Sequence, residues 1–196
     1  MRELVLASSS RYRAELLARL GLPFRTRSPD VDEARQPGEA AEPLVRRLAR
    51  AKARAVGRDS TGALVIGSDQ LAVCGEDFLG KPGTPEGARE QLTRLSGRTV
   101  TFLTGLCLLD MEGSGEQVAV VPTRVRFRAL SAAEIEAYVE REQPVDCAGA
   151  FKSEGLGIAL FEAIESDDPT ALIGLPLIAL CGMLRAAGVH ILPPDG

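Results

Sequence analysis

Short apolar runs of strand length alternate with stretches of helical periodicity along the whole chain, and that alternation restricts it to an α/β fold. Glu3–Ala7 reads as a strand. Ser8, Ser9 and Ser10 follow, and Arg11–Leu20 is helical, with Gly21 as its stop. Phe24–Ser28 is a second candidate strand, and Pro29–Gly38 a loop carrying Asp30, Asp32 and Glu33. Glu39–Val56 is strongly amphipathic. Leu44, Val45, Leu48, Ala49, Lys52 and Val56 share one stripe, and Arg46, Arg47, Arg50 and Arg54 lie mostly off it. Leu64–Cys74 reads as a strand, and Thr84–Leu95 as a helix with Thr84 as N-cap and Pro85 at its first position. Thr99–Asp110 and Gln117–Phe127 are expected to pair around a turn at 112–115. Ser131 and Glu134 form a capping box that opens a helix running to Glu142. A glycine-rich segment at 147–161 precedes a helix near Leu175–Ala187 and a short strand at Val189–Leu192. The antiparallel hairpin makes the expected sheet mixed.

With 196 residues the chain is long enough to bury most of its apolar surface as one domain, 1–196. A net charge of -4 leaves no chain-wide attraction for nucleic acid, though a local basic pocket can still bind anions. Met1–Ala7 does not read as a signal peptide, and the apolar stretch 171–184 is too short to span a bilayer. Cys74, Cys107, Cys147 and Cys181 are isolated, so zinc and disulfides are not expected, and the chain reads as a reduced cytoplasmic protein. Its one histidine, His190, is close to the C-terminus, which argues against Ser-His-Asp or Cys-His catalysis. Any metal would then be held by oxygen, which suits magnesium or manganese, and any general base is Asp or Glu.

Twenty of the 23 basic residues are arginines; the lysines are Lys52, Lys81 and Lys152. Where arginine is the default cation, a lysine marks a place for a compact point charge. Lys52 sits in an apolar stripe, where it either snorkels to solvent or points into a cleft. Lys81 is held between Gly80 and Pro82. Arg13 lies on the inward face of its helix, near an N-terminus that follows three serines. Helix N-termini bind anions, and Ser8 and Ser10 add hydroxyl donors; Ser10 also suits a plain N-cap. Glu33 lies in the acidic loop and Asp69 at what reads as a strand end. Cations and carboxylates around one pocket suit a polyphosphate with a divalent metal.

The runs LASSSRYRAELLARLG, VDE at 31–33, LVRRLARAKA at 44–53, GSDQ at 67–70, LGKP at 79–82 and LSG at 95–97 resemble the Maf family of nucleoside triphosphate pyrophosphatases, in order, from Leu4 to about Leu184. GSDQ, CAGAFKSEGLG and DPTALIGLPLIAL are similar to the branch that acts on 7-methyl-GTP; the dTTP/UTP branch usually has GADT. The resemblance implies a mixed-sheet, two-lobed fold with a central cleft, related to the inosine triphosphate pyrophosphatases. It implies cleavage between the α- and β-phosphates, with a divalent metal, in a homodimer. It places the proton acceptor on Asp69 and the phosphate and metal residues on Ser8, Arg13, Glu33, Lys52 and Lys81, with specificity on Tyr12, Gln70 and Glu154. In this picture Tyr12 stacks on the cationic methylated base, Glu154 accepts its N1 and N2 hydrogens, and Gln70 reads O6. Arg11 stands where many relatives have proline. The rival readings are a dTTP/UTP pyrophosphatase and a nucleotide-binding inhibitor of septum formation.

Overall fold

The computed structural model describes residues 2–113 and 115–192. Among them, seven strands form one mixed sheet in the order β2-β1-β3-β5-β6-β7, with β4 paired to β3. The strands are β1 Leu4–Ala7, β2 Phe24–Arg27, β3 Leu64–Cys74, β4 Asp77–Leu79, β5 Thr99–Asp110, β6 Glu116–Phe127 and β7 Phe161–Ser166. The helices are α1 Arg11–Ala18, α2 Ala41–Gly57, α3 Pro85–Leu95, α4 Ala132–Glu142 and α5 Leu177–Ala186. β1 is parallel to both β2 and β3, whereas β3–β4 and β6–β7 are antiparallel. No described helix is long and apolar enough to cross a membrane.

The chain divides into two compact units. The first takes the residues up to Gln70, Thr104–Val121, and those from Asp168 on. Its core follows from strand alternation. Leu4, Leu6, Leu64, Ile66, Leu106 and Leu108 face one side and pack on Leu16 and Leu17 of α1 and Leu177, Leu180 and Leu184 of α5. Val5, Ala7, Val65 and Cys107 face the other, against Ala49, Ala53 and Val56 of α2. α1 and α2 thus cover opposite faces while β2 and β3 flank β1 on opposite sides. The carboxyl end of β1 is therefore a topological switch point, the place where open α/β sheets bind ligands.

Glycine sets how closely α2 approaches. A Cβ on Gly67 would lie 2.1 Å from the Ala49 carbonyl oxygen, and one on Gly105 would lie 2.4 Å from that of Val45. The backbones touch where no side chain would fit.

The second unit comprises Leu71–Leu103 and Pro122–Asp167. Phe102, Phe127, Phe151 and Phe161 meet edge to face, with centroids 4.7–5.7 Å apart. Such pairs add about 0.5–1.5 kcal/mol each beyond burial. α3 begins as its sequence predicts, with Thr84 accepting from Gly87 N–H, and both halves of the Ser131–Glu134 box are made. Arg89 of α3 holds Glu136 of α4 through two hydrogen bonds of 2.6 and 2.7 Å.

Two expectations need correction. Val189–Leu192 is not a strand. Gly188 takes φ +79°, and the Val189 N–H donates to the Leu184 carbonyl at 2.8 Å, closing α5 in a left-handed cap. The valine is buried, so its apolar character serves the cap and the core. Asp69 is also not at a strand end: β3 continues five residues beyond it, to Cys74. The neighbour β1 is what stops, at Ala7 opposite Gly67.

Candidate active site

The site in the first unit grows from the end of β1. After Ala7 the chain turns through three serines into α1. Ser8 Oγ accepts from Ser10 N–H at 3.1 Å and from Arg13 Nη1 at 3.4 Å. Ser10 is the N-cap, accepting from Arg13 N–H at 3.4 Å. Both hydroxyls act here as acceptors, so the capping and anion-binding readings of Ser10 coexist: each O–H remains available to donate. Arg13 is held from a distant part of the chain, its Nε donating to the Gly174 carbonyl at 2.9 Å. Burial pulls its guanidinium pKa down, opposed by the charges of Asp69 and Glu33.

Lys52 does not snorkel. It is 7% exposed, and its Nζ lies 2.6 Å from Asp69 Oδ1 and 2.7 Å from Glu33 Oε1. Strand alternation explains the meeting. Gly67 and Asp69 share the face turned to α2; the glycine admits the helix, and Lys52 reaches the aspartate two residues further on. Asp69 is itself only 8% exposed. Burial raises its pKa above the ordinary carboxylate value, and the Lys52 ammonium, by charge and hydrogen bond, pulls it back. Glu33 is mostly exposed.

Among the described residues no group of three or more His, Cys, Asp or Glu could hold a metal. The chain offers two carboxylates. Their nearest oxygens flank one ammonium, so they are no farther apart than the sum of its two contacts. Hard oxygen donors around an existing cation position fit magnesium or manganese, which take one or two carboxylates and complete their shell with phosphate and water.

The opposite face of β3 carries Ser68 and Gln70, and both are tied to residues 171–174. Ser68 Oγ lies 2.8 Å from the Gly105 carbonyl and 2.9 Å from that of Gly174. Gln70 Nε2 lies 3.0 Å from Thr104 Oγ1, 2.9 Å from Ala171 O and 3.0 Å from Leu172 O. Three acceptors surround two N–H groups, so the amide nitrogen is committed. Reading O6, itself an acceptor, would need that nitrogen; the Oε1 that remains is an acceptor too. The segment is fixed by buried Asp168, which accepts from Thr170 N–H and Oγ, Ile178 N–H and Ala179 N–H at 2.7–3.2 Å.

Tyr12 is half-buried on α1, next to Arg11. Lys81 and Glu154 belong to the second unit and are exposed. The turn bearing Lys81 is anchored by Gln91 Nε2 donating to Gly80 O at 3.2 Å and Gly83 N–H donating to Val145 O at 2.9 Å. The loop bearing Glu154 is fixed by α4. Lys152 N–H donates to Tyr138 Oη at 3.0 Å, Lys152 Nζ to Glu142 O at 2.6 Å, and Leu156 N–H to Glu142 Oε1 at 2.9 Å. The structure therefore joins Ser8 to Arg13, and Glu33 to Lys52 and Asp69. Sequence reasoning missed Gly174 and Ser68; the one signal for Ser68 was a small polar residue beside Asp69.

The family described as Maf: Maf-like protein matches residues 3–187. A protein of Nitrosococcus oceani named 7-methyl-GTP pyrophosphatase is 57% identical over 189 residues, covering 96% of this chain and 95% of its own. One of the same name from Pseudomonas aeruginosa is 56% identical over 191 residues, 97% and 100% of the two chains. Among solved structures, the Staphylococcus aureus Ham1 protein matches with a TM-score of 0.50 at 12% identity, over 95% of this chain and 100% of its own, which supports the fold alone. The chain belongs to the Maf family.

Proposed function

We propose that the chain is a nucleoside triphosphate pyrophosphatase that hydrolyses 7-methyl-GTP to 7-methyl-GMP and pyrophosphate. The observation that carries this reading is the Lys52-bridged pair Asp69 and Glu33, whose charges act on Arg13 in the first turn of α1, in a chain 57% identical to a protein of that name. Water attacks the α-phosphorus, and the bond to the oxygen bridging α and β breaks as pyrophosphate leaves. Asp69 takes the proton of the attacking water; burial makes it a stronger base than a solvated aspartate. Arg13, the Ser8 and Ser10 hydroxyls and the first N–H groups of α1 bind phosphate oxygens, with Lys52 and Lys81 as point charges. Glu33 and Asp69 would hold a divalent metal, which supplies charge neutralisation at the phosphates.

Tyr12 stacks on the base, whose N7 methyl group makes the ring a cation, a contact worth about 0.5–2 kcal/mol. Glu154 accepts the N1 and N2 hydrogens, and Gln70 Oε1 offers a further acceptor. Rejection of pyrimidines comes from those hydrogen bonds, because a polar group covered by the base and left unmatched discriminates more strongly than stacking. In the same reading the enzyme is a cytoplasmic homodimer; sedimentation velocity tests the dimer. Pyrophosphate release from 7-methyl-GTP, GTP, dTTP, UTP and CTP, with magnesium or manganese and again with EDTA, tests the function. Preference for 7-methyl-GTP, lost with EDTA, is expected. Preference for UTP or dTTP would keep the chemistry and discard the base pocket, and binding without release would favour a septum-formation inhibitor.

A further inference from the structure

The helix that carries Arg13 begins with a residue its own electrostatics disfavour. Arg11 is the first residue of α1, behind the cap Ser10, and the first turn holds no acidic residue. A cation there sits at the positive end of the helix dipole and two residues from a second guanidinium. Arg11 lies instead on its neighbour. Its Cζ is 4.8 Å from the centroid of the Tyr12 ring, and its Nη2 donates to Tyr12 Oη at 3.0 Å. A guanidinium so placed covers one face of the ring, and a base cannot stack on that face until it moves.

We propose that Arg11 is a specificity-determining residue whose guanidinium covers Tyr12 until the phosphates of a nucleotide draw it away, so that a base stacks there only when it brings its phosphates. This rests on the reading of Tyr12 as the base-stacking residue. Phosphate at Ser8, Ser10 and Arg13 lies beside the first turn and offers Arg11 a two-point anionic partner. A charge-assisted two-point contact is stronger than the exposed cation–π contact and single neutral-acceptor hydrogen bond that join Arg11 to Tyr12. A nucleoside without phosphate supplies no such partner and meets a covered ring.

The test compares binding of 7-methylguanosine and 7-methyl-GMP to the wild-type protein and to the Arg11→Ala and Tyr12→Ala variants, followed by quenching of the 7-methylguanine fluorescence. Arg11→Ala is expected to bind the nucleoside about two- to fivefold more tightly, the factor equivalent to losing an exposed cation–π contact. The same variant is expected to bind the monophosphate no more tightly than wild type, so the gain from adding a phosphate shrinks. Unchanged or weaker nucleoside binding in Arg11→Ala would overturn the proposal. So would unchanged binding in Tyr12→Ala, which removes the stacking platform. Pyrophosphate release from 7-methyl-GTP is scored separately. If none occurs while Arg11→Ala still gains nucleoside affinity, the proposed reaction fails and the role of Arg11 stands.

Discussion

Gly67→Ala tests how the packing of α2 builds the site. The new Cβ would lie 2.1 Å from Ala49 O, 2.8 Å from Ala53 N and 2.9 Å from Ala53 Cβ. The first and second are backbone atoms, so no rotamer change relieves them. Bringing the closest approach to a tolerable 3.0 Å requires strand and helix to separate by about 0.9 Å. Lys52 rides on that helix, one residue from Ala53, and bonds Asp69 at 2.6 Å. Overpacking of this kind costs about 1–3 kcal/mol. With backbone atoms opposed, the upper end is expected, about 6–12 °C in Tm for a chain of this length. A misplacement near 1 Å lowers kcat/KM by about 100-fold. Gly105→Ala is the control. Its Cβ would press on Val45 O at 2.4 Å, about two turns of α2 before Lys52, so it should lower Tm similarly with a smaller loss of activity. Pyrophosphate release and thermal unfolding on the three proteins decide. Gly67→Ala with wild-type Tm and kcat/KM would refute the reasoning, and so would equal activity losses in both variants.

Asp69→Asn is expected to lower kcat by about 1,000-fold or more while the fold survives, because the proton acceptor and its charge beside Lys52 are lost together; near-normal turnover would remove Asp69 from that role. Burial raises the Asp69 pKa, so kcat/KM should fall, as pH drops, above the ordinary aspartate range. Lys52→Met removes the charge that lowers that pKa and should move the acid limb of the profile higher still; a limb that stays or moves down contradicts this. Glu154→Ala should reduce the 7-methyl-GTP to UTP preference more than it reduces turnover, measured as the ratio of kcat/KM values. Asp168→Ala takes the acceptor from the N–H groups of Thr170, Ile178 and Ala179 and from the Thr170 hydroxyl and should cost about 1–3 kcal/mol; a chemical-denaturation midpoint within error of wild type would contradict that.

Much of this was readable from residue patterns. A lysine in an apolar helical stripe left snorkelling and an inward charge both open, and the structure decides for the second: Lys52 is buried against Asp69. The boundaries of β3, and the caps at Thr84 and Ser131, follow from local chemistry that tertiary packing did not override. Other features are set by partners that side-chain identity does not reveal. The polar triplet Ser68, Asp69, Gln70 reads as an exit from the sheet, yet the strand continues: two of these side chains bond backbone carbonyls and the third a lysine. Every residue bears such a carbonyl, so nothing distinguished Gly174, whose oxygen accepts from both Arg13 and Ser68. β4 and β7, three and six residues long, carry too little periodicity to stand out. The Val189–Leu192 run failed because an apolar residue after glycine suits a helix cap as well as a strand.

The division of the chain at Gln70, Leu103, Val121 and Asp167 has a consequence for how the protein is made. All segments of the second unit have been synthesised once Asp167 is added. By then every side chain proposed for catalysis and base recognition, from Ser8 to Glu154, has also been made. The first unit still lacks the Gly174 carbonyl that orients Arg13, the Ala171 and Leu172 carbonyls that hold Gln70, and the α5 side chains of its core. At elongation rates of about 5–20 residues per second, the stretch from Asp168 to the end of α5 at Ala186 takes about 1–4 s to add. A nascent chain halted at that point would hold all the reactive groups and no organised site, so the segment from Asp168 on acts as the assembly step for residues translated before it.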